Sequence, residues 1–142
     1  MQLKRKHQIL FVTLTTLLLS LIPAFAFQEQ KSRVASADGE GTLRIGRETF
    51  KVSTVVVKLI EDGTAEITLV TDITVFVSGT WKRSNDSEKV IDVNITGAAT
   101  KGGVEGSGKI FISDDGKSLA KLKFQAVNKI TNRSVELDFV AK

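Results

Sequence analysis

A run of alternating residues from Ala65 to Trp81 constrains the fold more than any other feature of this sequence. Its odd-numbered positions are nearly all apolar or small, and its even-numbered positions are polar except for Val70 and Phe76. Successive side chains of a β-strand point to opposite faces, so this pattern predicts one buried and one solvated face. An amphipathic helix does not produce such a period. The sequence therefore predicts an all-β fold.

Further alternating segments lie on both sides of this run, separated by short polar loops. The expected strands are residues 42–45, 49–61, two within 65–81, 90–97, 104–112, 120–127 and 132–140. The second strand changes phase near residues 53–54, which places Val52 and then Val55 on the inner face and predicts a β-bulge. Together these segments predict an antiparallel, up-and-down meander of about eight strands.

Turn residues predict how neighbouring strands pair. The loop at 61–63 is expected to hold Gly63 in the left-handed conformation and to place Lys58 opposite Glu66. A loop at 70–72 is expected to end the third strand, although one long bent strand is an alternative there. The other expected pairs are Val57 with Ile67, Ile67 with Val75, Val93 with Gly108, Gly106 with Phe124, Leu122 with Leu137, and Lys121 with Asp138.

Closure of this meander into a barrel is expected, because closure removes the exposed edges that an open sheet would leave. A two-sheet β-sandwich buries the same residues and is the alternative. An outer-membrane barrel is excluded, because its lipid-facing side would have to be apolar. Here the outward positions carry Lys58, Glu66, Asp92, Lys109, Lys121, Glu136 and Asp138.

Residues 1–26 have the three parts of a secretory signal peptide: a basic start, an apolar run at 9–22 and a small-x-small cleavage site at 24–26. An uncleaved membrane anchor is the less favoured alternative, because the run is shorter than the roughly 20 residues of a spanning helix. We therefore expect an exported protein, periplasmic or secreted, with no transmembrane segment after cleavage. A flexible spacer is expected at 27–39 and a single β-barrel domain at 40–142.

Composition narrows the classes of function. Three of the 20 basic residues lie in the expected signal peptide, so the charge of the mature chain is nearly balanced. Its basic residues are spread singly along the strands, whereas nucleic-acid-binding proteins cluster them, so no nucleic-acid partner is expected. The chain has no cysteine, so burial alone must hold the fold together.

The residues needed for most enzyme chemistry are missing. The only histidine, His7, lies in the signal peptide, and the chain has neither cysteine nor tyrosine. Triad catalysis, histidine-based zinc sites and haem ligation are therefore excluded. No acidic residue has inward parity, and Asp114-Asp115-Gly116 is typical of a turn and lacks the spaced ligands of a calcium loop. We expect a non-enzymatic protein without metal or cofactor.

Three segments match the acceptor pattern for N-glycosylation. They begin at Asn85, Asn94 and Asn132. The pattern matters only in a host that glycosylates exported proteins. Asn85 is expected to be the most accessible, because it lies in a polar loop.

The segment Gly79-Thr80-Trp81 resembles the Gly-x-Trp signature of lipocalins and related small calycin barrels. In lipocalins the motif lies in the first strand, whereas here it ends about the fourth. The resemblance implies an eight-stranded barrel that binds a small apolar molecule in its interior. The alternative role for Trp81 is a core residue that closes one end of the barrel.

Two binding functions remain open at this point. In the first, the barrel carries a small hydrophobic ligand in a cavity whose widest part is at the two inward glycines. In the second, a solid-core barrel binds a protein partner in the envelope or at the cell surface. Clustering of several of the outward residues Val56, Val70, Phe76, Phe111 and Val140 would favour this second function, whereas single scattered residues would carry no meaning. The expected cavity residues are Val57, Ile67, Val75, Val77, Trp81, Ile95, Gly106, Gly108, Leu122, Phe124 and Leu137.

Overall fold

The computed structural model describes residues 31–98 and 103–142, and every regular element in them is a β-strand. The expected signal peptide at 1–26 lies outside these ranges, as do residues 27–30 and 99–102. The strands are β1 Ser32–Ile45, β2 Glu48–Ile60, β3 Thr64–Val70, β4 Thr74–Arg83, β5 Val90–Ala98, β6 Val104–Ile112, β7 Leu119–Asn128 and β8 Ser134–Ala141.

The strands form one closed antiparallel barrel in which each strand pairs with the next and β8 pairs with β1. This confirms the predicted up-and-down barrel of eight strands and excludes the two-sheet sandwich. Within the described ranges there is no helix long and apolar enough to cross a membrane.

The first strand begins earlier than the sequence suggested. β1 starts at Ser32, so the prediction of a flexible spacer over 27–39 is wrong for residues 32–39. These residues do alternate, but the inward positions Ala35, Ala37 and Gly39 are small and the outward positions are mostly polar. Small inward residues have little hydrophobicity, so their alternation was not recognised as the buried face of a strand.

A β-bulge interrupts the pairing of β1 with β2, but its extra residue lies in β1 and not in β2, where the phase change predicted it. Their register shifts between Asp38 and Gly41 of β1, opposite the phase change in β2. Val52 and Val55 are both buried even though they have opposite parity. Across this register shift β1 has one residue more than β2. This extra residue lets the long strand bend while the same face of the sheet stays inward.

Two hairpins have the predicted register. Gly63 has φ of +91°, and Lys58 pairs with Glu66 across the β2–β3 hairpin with an Nζ–Oε2 distance of 3.4 Å. Across β5 and β6, Val93 is opposite Gly108. Residues 71–73 form a loop between β3 and β4. The alternative of one long bent strand through 70–72 is therefore wrong.

Three hairpins differ from prediction by two residues each. The observed pairs are Ile67 with Val77, Gly106 with Ala126, Gly108 with Phe124, Leu122 with Phe139, Phe124 with Leu137, and Lys123 with Asp138. A shift of two residues preserves the face on which each side chain lies. The predicted inner and outer faces are therefore correct in these hairpins, and only the cross-strand partners are wrong.

Side-chain caps within the loops explain these shifts. In the β3–β4 loop the Thr71 hydroxyl hydrogen-bonds with the backbone of Ile73, which keeps Val70 in the strand. In the β7–β8 loop the Asn128 carboxamide accepts hydrogen bonds from the N–H groups of Ile130 and Thr131, both at 3.0 Å. Each cap closes the turn at a different place from the one predicted.

Candidate functional site

The interior of the barrel is filled by side chains. Its buried cluster contains residues from every strand, and each is no more than 9% exposed. A cavity would leave solvent-accessible area on the residues that line it, so such low exposure indicates close packing. The predicted cavity residues that belong to this cluster are Val57, Ile67, Val75, Val77, Ile95, Leu122, Phe124 and Leu137.

Trp81 is half-buried and joins the end of β4 to the β2–β3 hairpin. Its indole Nε1–H donates a hydrogen bond to the Ile60 carbonyl at 2.8 Å, and its backbone N–H donates to the Gly63 carbonyl at 2.8 Å. The side chain also packs against the core cluster. These contacts fix Trp81 between the end of β4 and the β2–β3 hairpin.

The two inward glycines of β6 leave no extra room. A Cβ atom added at Gly108 would lie 2.5 Å from Phe124 Cβ and 2.6 Å from the Lys123 carbonyl oxygen. At Gly106 it would lie even closer to the backbone of β7. The absence of side chains here lets β6 and β7 approach each other closely.

Four apolar residues lie together on the outer face of β1 to β4. Val56 of β2, Thr68 of β3 and Phe76 of β4 are directly opposite one another in successive strand pairs. Val70 lies diagonally beside this row, and Val34 lies diagonally beside Val56 on β1. Phe76 and Val34 are 57% and 62% exposed. We name this surface the apolar panel; its members are Val34, Val56, Val70 and Phe76 with the interspersed Ser36, Thr54, Thr68 and Thr74.

The charges at the border of the apolar panel have local partners. Lys58 pairs with Glu66 on one side, and on the other the Thr54 hydroxyl donates a hydrogen bond to Asp38 at 2.7 Å. Phe111 and Val140, the other outward apolar residues singled out from the sequence, lie in β6 and β8 with Lys121 between them. The outward apolar residues therefore cluster in part, on the side formed by β1 to β4.

The opposite side of the barrel, from β5 through β8 to β1, carries charged residues instead. An open groove of about 700 Å³ runs across it, with Gly108 among the residues that line it. The ion pairs in this groove are Arg44–Glu136 at 3.7 Å, Lys109–Asp92 at 3.2 Å and Lys123–Asp138 at 3.1 Å. Because the charges of both signs are paired with each other, the groove presents little uncompensated charge to a ligand.

Hydrogen bonds shift the titration of a few exposed groups. The hydroxyl of Ser113 and the backbone N–H of Lys117 donate to Asp115 and hold the pKa of its carboxyl below the usual value. The neighbouring Lys123 side chain lowers the pKa of Lys121, whereas the hydrogen bond to Asp138 raises the pKa of Lys123. These groups lie on the surface and none lies in an enclosed site.

The described part of the chain offers no cluster for metal chemistry. Residues 31–98 and 103–142 contain no group of three His, Cys, Asp or Glu side chains close enough to hold a metal ion. Their buried polar side chains are Ser84 and Asn128, and neither is ionisable. Asn85, Asn94 and Asn132, the predicted glycosylation acceptors, are all exposed.

The fold and its surfaces define the class of protein: an eight-stranded antiparallel barrel with a filled core and two chemically different outer sides. No protein-family model, curated protein or solved structure matches this chain. The surfaces of the barrel are therefore the basis on which its function is inferred.

Sequence reasoning missed one member of the apolar panel. Val34 lies in the segment assigned as a spacer, so its outward position on β1 was not considered. The signal that could have revealed it is the alternation of small residues at 35, 37, 39 and 41 with larger or polar ones between them. This alternation continues in phase with buried Leu43.

Proposed function

We propose that this chain is an exported, non-enzymatic interaction module that binds a protein partner through the apolar panel. The observation that carries the proposal is the grouping of Val34, Val56, Val70 and Phe76 on one side of a barrel whose opposite side is charged. Contiguous exposed apolar surface is uncommon on soluble monomers and marks interaction sites. Export is inferred from the signal-peptide pattern at 1–26.

The filled interior favours this function over transport of an apolar ligand. An eight-stranded barrel has room either for one small ligand or for its own side chains. Here the core cluster, which draws residues from all eight strands, is packed with at most 9% exposure of each member. A ligand of lipocalin type would have to displace this packing, at the energetic cost of rearranging a close-packed core.

The partner is expected to present a neutral, apolar surface. Phe76 is the largest exposed residue of the panel, and aromatic residues dominate the binding energy of many interfaces. Threonine and serine hydroxyls surround it, and the adjoining charges are paired locally. An oppositely charged partner would gain little here, whereas an apolar protein surface would bury the panel.

The test uses the mature protein, residues 27–142, immobilised and exposed to an envelope extract of its own host. Captured proteins are identified, purified and titrated against three forms: wild type, Phe76→Ser and Val140→Ser. Val140 is a matched control, because it is also an outward, exposed apolar residue but lies on β8. Loss of an interface anchor costs about 2 kcal/mol or more, so Phe76→Ser is expected to weaken binding by about 30-fold or more. Val140→Ser is expected to leave the affinity unchanged.

Two results would contradict the proposal. A purified partner that binds Phe76→Ser as tightly as wild type would exclude the panel as its binding site. A stoichiometric apolar molecule released from the native protein on unfolding, with a change in Trp81 fluorescence on rebinding, would instead establish a carrier. Native mass spectrometry before and after denaturation distinguishes these outcomes.

A further inference from the structure

The loops at one end of the barrel differ in chemistry from the loops at the other end. Consecutive strands run antiparallel, so alternate loops lie at the same end. One end has the loops 46–47, 71–73 and 129–133, together with Gly103 of a fourth loop, and the other end has the loops 61–63, 84–89 and 113–118. We name the first the basic end and the second the acidic end, after the charges that their loops carry.

The loop charges differ in sign between the two ends. The loops of the acidic end contain two lysines and six acidic residues, Glu61, Asp62, Asp86, Glu88, Asp114 and Asp115. The described loop residues of the basic end contain one acid, Asp72, and three basic residues, Arg47, Lys129 and Arg133. Lys129 forms an ion pair with Glu105 of β6. The charges that the basic end presents to a partner are therefore mainly those of its two arginines.

Exposed apolar side chains also separate between the two ends. Ile130 in the β7–β8 loop is 76% exposed, and Ile73 in the β3–β4 loop is 60% exposed. Both loops belong to the basic end. The three loops of the acidic end, which lie wholly within the described ranges, contain no apolar side chain. Apolar and basic groups thus occur together at one end of the barrel.

Hydrogen bonds within the two loops hold these isoleucines in place. The Ile130 N–H donates to the Asn128 carboxamide at 3.0 Å. The Ile73 N–H donates to the Thr71 hydroxyl at 3.1 Å. Because both loops are already ordered, little conformational entropy is lost when their exposed side chains meet a surface.

The two apolar loops lie on opposite sides of the same rim. The β3–β4 loop and the β7–β8 loop are four strands apart in a closed barrel of eight. A flat surface placed against the basic end would contact both loops at once, whereas a small ligand would reach only one of them. The position of the loops therefore favours an extended, flat partner.

The two arginines belong to adjacent loops of this rim. The Gly46 N–H donates a hydrogen bond to the Ser134 carbonyl at 2.8 Å, which joins the β1–β2 turn to the β7–β8 loop. Neither Arg47 nor Arg133 has an ion-pair partner in the described part of the chain, although Glu48 follows Arg47 directly. A guanidinium group binds phosphate oxygens in a bidentate manner. These unpaired arginines are therefore suited to the phosphates of lipid headgroups.

We infer that the basic end docks on an anionic phospholipid membrane, with Ile73 and Ile130 in the headgroup layer and Arg47 and Arg133 on lipid phosphates. Burial of apolar area and attraction to anionic lipid act together in binding of this kind. The same membrane charge would repel the acidic end and orient it away from the lipid. The inference goes beyond the proposed function, because it depends on loop residues of one end and not on the outer face of β1 to β4.

Vesicle binding by the mature protein, residues 27–142, tests the inference. One set of vesicles contains phosphatidylcholine alone, and the other contains phosphatidylcholine and phosphatidylglycerol in equal parts. Wild type is expected to bind the mixed vesicles about tenfold or more tighter than the neutral ones, and to lose this preference at high salt. Equal binding to both sets, or no binding to the mixed set, would overturn the inference.

Single substitutions test the residues assigned to the lipid contact. Ile130→Ser is expected to weaken binding to the mixed vesicles about tenfold, because it removes an apolar side chain from the headgroup layer. Arg133→Gln is expected to weaken it about fivefold, and Asp72→Asn, which removes an acid from the same end, to strengthen it. Val140→Ser is the matched control, because Val140 is an exposed apolar residue on β8, and it should bind like wild type. Unchanged binding in both Ile130→Ser and Arg133→Gln would contradict the assignment.

A labelled cysteine reports which end of the barrel meets the lipid. The sequence contains no cysteine, so Ile130→Cys and Lys117→Cys each provide one reactive position, at the basic and the acidic end respectively. A polarity-sensitive dye is expected to shift its emission to the blue on mixed vesicles at position 130 and to stay unchanged at position 117. Equal shifts at both positions would exclude the proposed orientation.

The same variants separate this inference from the proposed function. Phe76→Ser is expected to bind vesicles like wild type even when it loses the partner protein. Vesicle binding that is lost in Phe76→Ser but kept in Ile130→Ser would assign the lipid contact to the apolar panel and overturn the inference. A purified envelope protein whose binding requires Ile130, in a chain that binds no vesicles, would show a protein partner at the basic end and would also overturn it.

Discussion

Phe139 is a single residue that packs where β8 pairs with β1 and closes the barrel. It is the largest fully buried side chain, and its ring packs over Gly39 and Gly41 of β1. A Cβ atom at Gly41 would lie 2.8 Å from Phe139 Cδ2. An aromatic ring that covers glycines of a neighbouring strand replaces the packing that those glycines lack. The same relation holds on the far side, where Phe124 covers Gly108.

Substitution of an inward glycine of β6 is expected to destabilise the barrel. In Gly106→Ala the added methyl group would lie less than 3 Å from the Gln125 carbonyl and from Ala126, so β6 and β7 would have to separate. Overpacking of this kind costs about 1–3 kcal/mol of unfolding free energy. Urea denaturation of residues 27–142, monitored by circular dichroism, measures the change in unfolding free energy.

The matched control for this prediction is Gly103→Ala. Gly103 precedes β6, and a Cβ atom there has no neighbour within 4 Å among the described residues. Its substitution is expected to change the urea midpoint little. Equal midpoints for Gly106→Ala and wild type would mean that β6 and β7 are farther apart than described.

At the level of strands, the alternation of residues predicted which face of each strand is buried. The loops determine which residues pair across neighbouring strands. The eight strands, the buried face and the β2–β3 hairpin follow from residue pattern, because Gly63 and the Lys58–Glu66 pair agree on one register. The predicted registers of three other hairpins were wrong by two residues, because a shift of two leaves the alternation unchanged. Thr71, Asp115 and Asn128 set the true registers through hydrogen bonds within their loops. Polar caps of this kind resemble any other polar loop residue in sequence.

The candidate surfaces were predictable to a lesser degree than the core. Val56, Val70 and Phe76 have outward parity in the sequence, but their grouping depends on the register between strands. The stagger of β8 along β1, which pairs the two strands from Gly39 to Ile45 of β1, was not predictable from the sequence. That stagger is a property of the closed barrel and has no local sequence signal.

The β6–β7 loop is expected to make stability depend on pH through Asp115. Hydrogen bonds from Ser113 and Lys117 lower the pKa of its carboxyl in the folded state. A lowered folded-state pKa stabilises the fold above the ordinary carboxyl range, and this contribution is lost as pH falls through the lowered value. Wild type should therefore have a higher Tm than Asp115→Asn at pH 7, and the difference should shrink below about pH 4.

Asp72→Asn is the matched control for the pH experiment. Asp72 is an exposed carboxylate in the β3–β4 loop, and it accepts no hydrogen bond from the described backbone. The Tm of this variant should follow that of wild type over the same pH range. A difference between wild type and Asp115→Asn that stays constant from pH 7 to pH 3 would contradict the role of the Asp115 charge.

For the whole molecule, closure between β1 and β8 is the interaction that turns a meander into a barrel. Phe139 lies on β8 opposite Gly41 of β1, at the centre of this pairing. Phe139→Ala is expected to lower the unfolding free energy by about 3–5 kcal/mol, because it leaves a cavity where the two strands meet. Chemical denaturation of residues 27–142 measures the loss.

Phe76→Ala is the control of the same chemistry on the outer face. Phe76 is 57% exposed, so its truncation is expected to change stability by no more than about 0.5 kcal/mol. Comparable losses for the two variants would mean that the panel contributes to the fold of the isolated domain and is not a free surface.

The β1–β8 pairing has a further consequence, for the rate of folding. Every other pair joins consecutive strands, whereas Gly39 pairs with Ala141 at the opposite end of the chain. The entropy lost in closing a loop grows with its length, so this pairing is the slowest to nucleate. The hairpins can assemble in sequence as the chain emerges, but no barrel exists until the last strand is available. Until then, both end strands of the sheet stay open to other chains.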